Sequence, residues 1–122
     1  NVNLGTATIP TATVRIKIEK KTFEESATGD GPVDACFKAI NRAIKFQKKI
    51  KLEHYQVRSI TAGKAAQGEV SIRLKIDKKA FNGKGISTDT IKASAQAYIQ
   101  ALNHFSLNHA EQKTFSENLV GV

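Results

Sequence analysis

Apolar and polar residues alternate along two stretches of the chain, from Thr11 to Ile18 and from Val70 to Ile76. This period of two is typical of a strand that buries one face. A short polar segment follows each stretch, Glu19 to Lys21 in the first and Asp77 to Lys79 in the second. Each segment is expected to turn the chain into a further strand, so the pattern predicts two antiparallel hairpins.

Two other segments carry apolar residues at spacings of three and four, which predicts amphipathic helices. The first is expected to run from Pro32, a residue suited to the first turn of a helix, to about Phe46. The second is expected to be capped by Ser87 or Thr88 and to end near Phe105. Neither helix is apolar all round, so each should cover one face of a sheet.

The remaining segments complete the predicted order of strand, strand, helix, strand, strand, strand, helix. We expect a strand at His54 to Thr61, a loop at Ala62 to Gly68, and a frayed or short-helical tail after about Asn108. Runs of antiparallel strands that end in a helix favour an α+β fold over a doubly wound one. The length of 122 residues predicts a single domain over residues 1–122, with 106–122 as its tail.

The pattern also contains an internal repeat, approximately 11–46 and 68–105. Ile16 to Phe23 reads IKIEKKTF and Leu74 to Phe81 reads LKIDKKAF, while a Gly-Asp-Gly triplet at residues 29–31 is echoed by Gly-Lys-Gly at 83–85. Two similar halves folded against each other are therefore expected. The glycines of the two triplets (Gly29, Gly31, Gly83 and Gly85) should lie at helix starts, whose free N–H groups can bind an anion such as a carboxylate. The alternative is that they only permit a tight strand-to-helix turn.

The net charge of +8 is also compatible with a function of a different class, that of a basic nucleic-acid-binding module. The densest basic cluster comprises Lys45, Lys48, Lys49 and Lys51. The eight Phe and Tyr residues are not interleaved with it, and lysines also solvate exposed strand and helix faces. We keep this reading as an alternative, with nucleic acid not expected as a partner.

Few residues are suited to catalysis or metal binding. The one cysteine, Cys36, falls on the apolar stripe of the first helix, so we expect an inert core thiol, no disulfide framework and a reducing, cytoplasmic location. The histidines His54, His104 and His109 have no partner at metal-ligand spacing, and no acidic pair stands out. We therefore predict no catalytic residue, no metal site and no enzyme activity in this chain.

The ends and hydropathy of the chain suggest no membrane partner. No apolar run approaches the roughly 20 residues that cross a bilayer, and the first ten residues contain no secretory signal. The chain does not begin with Met, which suggests a domain cut from a longer protein.

Several motifs in order resemble the C-terminal regulatory domain of 2-isopropylmalate synthases. The motifs are ATGDGPVDA at 27–35, LEHYQV at 52–57, AQGEV at 66–70 and ASAQAY at 93–98. The resemblance runs from about Thr11 to Phe105. Citramalate synthases carry a related domain and are the alternative within this class.

The resemblance implies a regulatory function. The parent enzyme would be an acyltransferase that condenses acetyl-CoA with a 2-oxo acid in a separate catalytic barrel, which would hold the divalent metal; no cofactor is expected in this domain. The domain would form a homodimer, bind leucine near the dimer interface and feedback-inhibit the barrel. A citramalate synthase domain would bind isoleucine, and a purely structural dimerisation domain would bind neither.

The implied fold is two pseudo-symmetric βββα units, whose antiparallel sheets are each covered by a helix. The sequence pattern shows one strand fewer than this before the first helix. The missing strand is expected either in Asn1 to Ile9 or within the run that begins at Thr11.

The resemblance also implies a set of effector-binding positions at the helix starts, the third strand and the following loop: Val33, Asp34, Leu52, Tyr55, Ser59, Ala66, Gly68, Ile86 and Ser87. Four of them are expected to line an apolar slot for a branched side chain, namely Leu52, Tyr55, Ala66 and Ile86. The helix starts would face the charged end of the ligand. Asp34 would either meet the ammonium group or complement the dipole of its own helix. His54 departs from the Asp that many relatives have there.

Overall fold

The computed structural model describes residues 9–63, 65–108 and 115–121. Its elements are β1 (Thr11–Ile18), β2 (Lys21–Thr28), α1 (Pro32–Ile44), β3 (Lys51–Ala62), β4 (Ala65–Ile76), β5 (Lys79–Ser87), α2 (Thr90–Asn108) and β6 (Phe115–Gly121). The strands form two antiparallel sheets, in the orders β2-β1-β6 and β3-β4-β5. The predicted α+β class, with antiparallel sheets and two helices, is confirmed.

The two predicted hairpins are present and turn at the repeated polar segments. The backbone is left-handed at Glu19, with φ of 58°, and at Asp77 and Lys78, with φ of 52° and 67°. Left-handed residues suit the tight reversal of a two-residue hairpin loop, although side chains other than Asn and Asp adopt them at some cost. Each hairpin leads into a helix, which matches the two halves of the sequence repeat.

Helix α1 packs on β1 and β2 through a face rich in alanine. It ends at Ile44, two residues before the expected Phe46, because Lys45 adopts a left-handed conformation with φ of 55°. The N–H of Lys45 donates to the carbonyl of Arg42, and the N–H of Phe46 donates to that of Asn41. This pair of bonds is the Schellman termination, which satisfies two carbonyl groups at the helix end.

Helix α2 is buried on more sides than its sequence pattern predicts. One side packs on β4 and β5 and another meets α1, where the rings of Phe37 and Tyr98 stack with centroids 4.2 Å apart. Its buried residues are Ala93, Ser94, Ala95, Ala97, Tyr98, Ile99, Ala101, Leu102, Phe105 and Ser106. The expectation that each helix covers one face of a sheet holds for α2, which also contacts α1 but leaves Lys92, Gln100, His104 and Leu107 exposed. The helix continues to Asn108, beyond the expected end near Phe105.

Two other segments depart from the sequence prediction. Most of the loop expected at Ala62 to Gly68 is strand, because β3 and β4 continue their ladder to the pair Ala62 and Ala65. The tail expected to fray contains β6, which pairs antiparallel with β1. β6 supplies the third strand of the first sheet; Thr11–Ile18 forms one strand only, and residues 1–8 of the other expected location lie outside the described part of the chain.

Candidate functional site

The two helices begin at the same end of the molecule. Phe37 and Asn41 of α1 contact Tyr98 of α2, and Phe46, just beyond α1, contacts Phe105 further along α2. Because these partners advance in the same order along both helices, the helices run roughly parallel. The charge of Asp89 at the start of α2 also acts on Cys36 near the start of α1. The starts of α1 and α2 therefore lie close to each other.

The start of α1 is organised by Asp34. Gly31 precedes the helix in an extended conformation, without a side-chain cap among the described contacts. Asp34 Oδ2 accepts the N–H of Asp30 at 2.9 Å and lies 3.0 Å from Lys38 Nζ. The N–H of Asp30 chiefly, and Lys38 next, hold the pKa of the Asp34 carboxyl below its usual value. Asp34 therefore supports its own helix start, and its contact with a ligand ammonium group stays a prediction.

The start of α2 is capped by Asp89 and not by Ser87 or Thr88. Asp89 Oδ1 accepts the N–H of Ile91 at 2.9 Å and that of Lys92 at 3.4 Å. Ser87 Oγ instead accepts the N–H of Asp89 at 3.1 Å. Since the helix begins at Thr90, Asp89 is the residue placed to satisfy the first free N–H groups.

The two glycine pairs occupy different structural positions. Gly29 and Gly31 precede α1 as predicted, but Gly83 and Gly85 lie inside β5, paired with Ile72 and Val70. A Cβ atom on Gly83 would lie 1.8 Å from the carbonyl oxygen of Ala97, and one on Gly85 would lie 2.0 Å from that of Ala93. The second pair therefore admits the backbone of α2 onto the sheet. Its expected role at a helix start is wrong, because β5 continues two residues beyond Gly85.

Most of the predicted effector positions in the second half lie on one face of the second sheet. Ser59 pairs with Gly68, and Gly68 pairs with Ser87, so these three form a row across the sheet. Residues paired in an antiparallel sheet point to the same face. Leu52, Tyr55 and Ala66 lie on that face too. Their partners in the sheet are Leu74, Ile72 and Thr61, respectively. This face of the sheet is the one that α2 covers.

Ile86 is the exception. It pairs with Glu69 and therefore points to the opposite face of the sheet from Ser87 and Gly68. Its side chain is 43% exposed there. A slot lined together by Leu52, Tyr55, Ala66 and Ile86 is accordingly not formed within one chain, because a shift of one residue along a strand reverses the face.

Tyr55 joins β3 to the first turns of α2. Its ring is partly buried against the core, and its hydroxyl lies 2.7 Å from Ser94 Oγ. Ser94 Oγ itself donates to the carbonyl of Thr90 at 2.8 Å, so the Tyr55 hydroxyl is the donor to Ser94. The phenol has the partner that its burial requires. Ser94 was missed from the sequence, because a serine within a helix gives no signal of this role.

Val33 lies in the first turn of α1, partly buried against the core. Like its neighbour Asp34, it belongs to the half of the molecule that contains the first sheet. Apart from Ile86, the predicted positions consequently fall into two groups, one at the start of α1 and the other on the α2 face of the second sheet.

Two clefts lie away from this set of positions. One, of about 890 Å³, lies between the end of α1 and the β1–β2 hairpin and is lined partly by Ile18, Phe23 and Ile44. Another, of about 580 Å³, runs beside β5 and includes His54 and His104. None of the nine predicted effector positions lines either cleft, so concavity alone would point to a different site.

The structure gives no support to a reactive cysteine or to a strongly basic surface at the lysine cluster. Burial raises the pKa of the Cys36 thiol to about 12, so the thiol is neutral near pH 7. Lys48 of the basic cluster lies 2.9 Å from Asp77, which reduces the charge available for phosphate contacts.

Within residues 9–63, 65–108 and 115–121, no group of three potential metal-ligating side chains is found. In the same ranges, neither helix has the length and apolar character needed to span a membrane.

Comparison with protein families gives a match over most of the chain. The family model described as "LeuA allosteric (dimerisation) domain" matches residues 1–106. The match contains both helices up to Ser106 and both hairpins, whereas β6 lies beyond it.

Three curated relatives similar to the chain are each described as 2-isopropylmalate synthase. The protein from Heliobacterium modesticaldum is 44% identical over 103 residues, covering 84% of this chain and 20% of the relative. That from Gloeobacter violaceus is 46% identical over 114 residues, covering 88% and 20%. That from Halothermothrix orenii is 40% identical over 117 residues, covering 95% and 22%. The chain therefore spans about a fifth of the length of these relatives.

Proposed function

Because the chain belongs to the family of LeuA allosteric (dimerisation) domains, we propose that it is the regulatory part of a 2-isopropylmalate synthase. The observation that carries this proposal is the family match over residues 1–106, together with the 40–46% identity to synthases of that name. We assign no catalytic role to the chain itself.

The proposal extends to the whole protein. Its remaining part would contain the catalytic barrel, with a divalent metal, that condenses acetyl-CoA with a 2-oxo acid. Leucine, the end product, would bind this domain in a homodimer and inhibit the barrel. The lone, buried Cys36 suits a reducing compartment, and we propose a cytoplasmic enzyme.

We propose that the effector lies on the α2 face of the second sheet. Ser59, Gly68 and Ser87 form a row of small residues there, and a Cβ on Gly68 would lie 3.3 Å from Thr90 Oγ1 in the first turn of α2. The row therefore lies next to a helix N-terminus, which favours a carboxylate.

The apolar part of the ligand has neighbours on the same face. Leu52 is 44% exposed and Tyr55 is partly buried. A branched aliphatic side chain placed against these two residues would remove apolar surface from water on both sides of the contact. A free branched-chain amino acid combines this apolar group with the carboxylate that the helix start favours.

Calorimetric titration of the chain with leucine, isoleucine and valine tests the proposed effector. We expect leucine to bind most tightly, although a single displaced methyl group in an apolar pocket changes binding by only about 1–3 kcal/mol. Preference for isoleucine would favour a citramalate synthase domain. If none of the three binds or raises the melting temperature at saturating concentration, the chain does not sense these amino acids and dimerisation is the function left to it.

The basic alternative has a separate test. Nucleic-acid binding through the cluster at Lys45 to Lys51 predicts affinity that falls steeply with salt, because phosphate contacts release counterions. A gel-shift assay at low salt that detects no complex would exclude this function and leave the regulatory proposal unaffected.

A further inference from the structure

One edge of the second sheet is closed by side chains of α2. The N–H of Ile86 donates to Gln96 Oε1 at 3.0 Å, and the N–H of Lys84 donates to Gln100 Oε1 at 2.8 Å. One turn further along α2, His104 Nδ1 lies 2.7 Å from the carbonyl oxygen of Asn82. Main-chain groups on the outer edge of β5 are thus bonded to side chains of α2 at every second residue, namely Asn82, Lys84 and Ile86.

The spacing of these bonds explains why one helix can close a strand edge. Four residues of a helix rise about 6.0 Å, and two residues of a strand advance about 6.6–6.8 Å. Side chains at positions 96, 100 and 104 therefore keep step with alternate residues of β5. An additional strand cannot pair with β5 here unless these bonds break.

The opposite edge, β3, is open. This strand pairs only with β4, and among the described residues no other hydrogen bond reaches its main chain. A ladder irregularity lies between Leu52 and His54, after which the pairing is regular to Ala62. An unpaired edge of this length is a template for a further strand.

The α2 face of β3 is also unusually apolar for a solvent-exposed surface. Val57 is 45% exposed and Leu52 is 44% exposed, because α2 lies over β4 and β5. From β3, Tyr55 reaches back to the helix through its bond to Ser94. The open edge and the uncovered apolar residues therefore occur on the same strand.

We propose that β3 pairs antiparallel with β3 of a second copy of the chain, which joins the two second sheets into one six-stranded sheet. A two-fold contact uses the same surface of both copies, and β3 meets this condition while β5 is closed. This inference rests on the proposed function in one respect, that the domain dimerises, and it deepens that function by placing the contact.

The charges of β3 favour a two-fold axis near Val57. In that register Val57 faces Val57 of the partner subunit, and Arg58 faces Gln56 of the partner subunit. A register centred one residue later would oppose two Arg58 side chains, and like charges directly opposite each other destabilise a sheet. The chosen register also brings Tyr55 of the partner subunit beside Ser59. Predicted effector positions of two chains then meet at the interface.

Sedimentation equilibrium of the wild-type chain, Val57→Asp and Leu107→Asp tests the contact. Two aspartates at the axis should weaken dimerisation about a hundredfold or more, because like charges in an interface cost several kcal/mol. Leu107 on α2 is 63% exposed and lies outside the proposed interface, so Leu107→Asp should dimerise like the wild type. Circular dichroism of each variant confirms that it is folded.

The possible outcomes separate this inference from the broader function. A folded Val57→Asp chain that dimerises as tightly as the wild type overturns the β3 contact and leaves dimerisation intact. A wild-type chain that stays monomeric at millimolar concentration overturns the proposed homodimer, and the β3 contact with it. Preserved leucine binding in that monomer would still support effector sensing.

Hydrogen exchange of the wild-type chain gives a second test that needs no substitution. Above the dissociation constant, alternate amides between His54 and Ala62 should be more protected than below it, because their outward N–H groups become paired. Amides of β5 should exchange equally at both concentrations. Unchanged exchange along β3 in a sample shown to be dimeric contradicts edge pairing.

Discussion

The two halves of the molecule contain the same glycine pattern but use it differently. In the first half, Gly29 and Gly31 lie in the connection from β2 to α1, whereas in the second half Gly83 and Gly85 lie within β5 beneath α2. The close approach of the α2 backbone leaves no room for a Cβ at either glycine of β5. In the first half Gly29 is crowded by the backbone of Ala35 in α1, whereas a Cβ on Gly31 would meet nothing within 4 Å. Similar sequence in a repeat therefore does not ensure an equivalent local environment.

The largest expected effect comes from adding one methyl group at the tight contact. Gly83→Ala should lower the free energy of unfolding by about 3 kcal/mol or more, because the new Cβ would overlap the main chain of α2. Gly31→Ala should change it by less than about 1 kcal/mol, since the extended backbone there admits alanine. Chemical denaturation of both variants measures the difference. Equal destabilisation would mean that the two glycines are equivalent after all.

A smaller effect is expected where the halves meet. The Tyr98 hydroxyl donates to Asn41 Oδ1 at 2.6 Å and is buried between the helices. Tyr98→Phe should cost about 1–2 kcal/mol of unfolding free energy, because the Asn41 oxygen loses its buried donor. Tyr55→Phe is the matched control within the second half. It should cost less, since Ser94 keeps its bond to Thr90; a larger cost for Tyr55→Phe would contradict this ranking.

The helix starts give the smallest differences in stability. Asp89→Ala should cost about 1 kcal/mol, because α2 loses its side-chain cap. At the equivalent start of α1, which has Gly31 before it, Gly31→Ser should stabilise the chain by only a few tenths of a kcal/mol. Thermal unfolding of both variants checks the signs. A neutral Asp89→Ala would show that the bonds to Ile91 and Lys92 do not contribute.

The fold could be predicted where local pattern determines structure. The alternation at Thr11 to Ile18 gave β1 with its observed bounds, and Pro32 marked the first residue of α1. β6 could not be predicted in this way, because the strand is defined by its pairing with β1 at the other end of the chain. The contacts of α2 with both β5 and α1 likewise depend on two layers that meet only in the folded molecule.

The sheet register brings some of the predicted effector positions together and separates others. Ser59, Gly68 and Ser87 come from three separate segments, and the sheet register places them in one row. Ile86 was expected in one slot with Leu52, Tyr55 and Ala66, but it points to the opposite face of the sheet because it is one residue from Ser87 along β5. The glycines of β5 were assigned to a helix start because a sequence pattern does not reveal how closely a helix backbone approaches.

Leucine titration of Tyr55→Ala beside Phe23→Ala tests most directly whether the effector binds the second half. Both aromatic residues are partly buried strand residues packed on the core, Tyr55 in β3 and Phe23 in β2. With circular dichroism showing both variants folded, Tyr55→Ala should weaken leucine binding by about 2–4 kcal/mol, as expected for loss of a large apolar contact. Phe23→Ala should bind leucine like the wild type. A folded Tyr55→Ala chain with unchanged leucine affinity would contradict the proposed site.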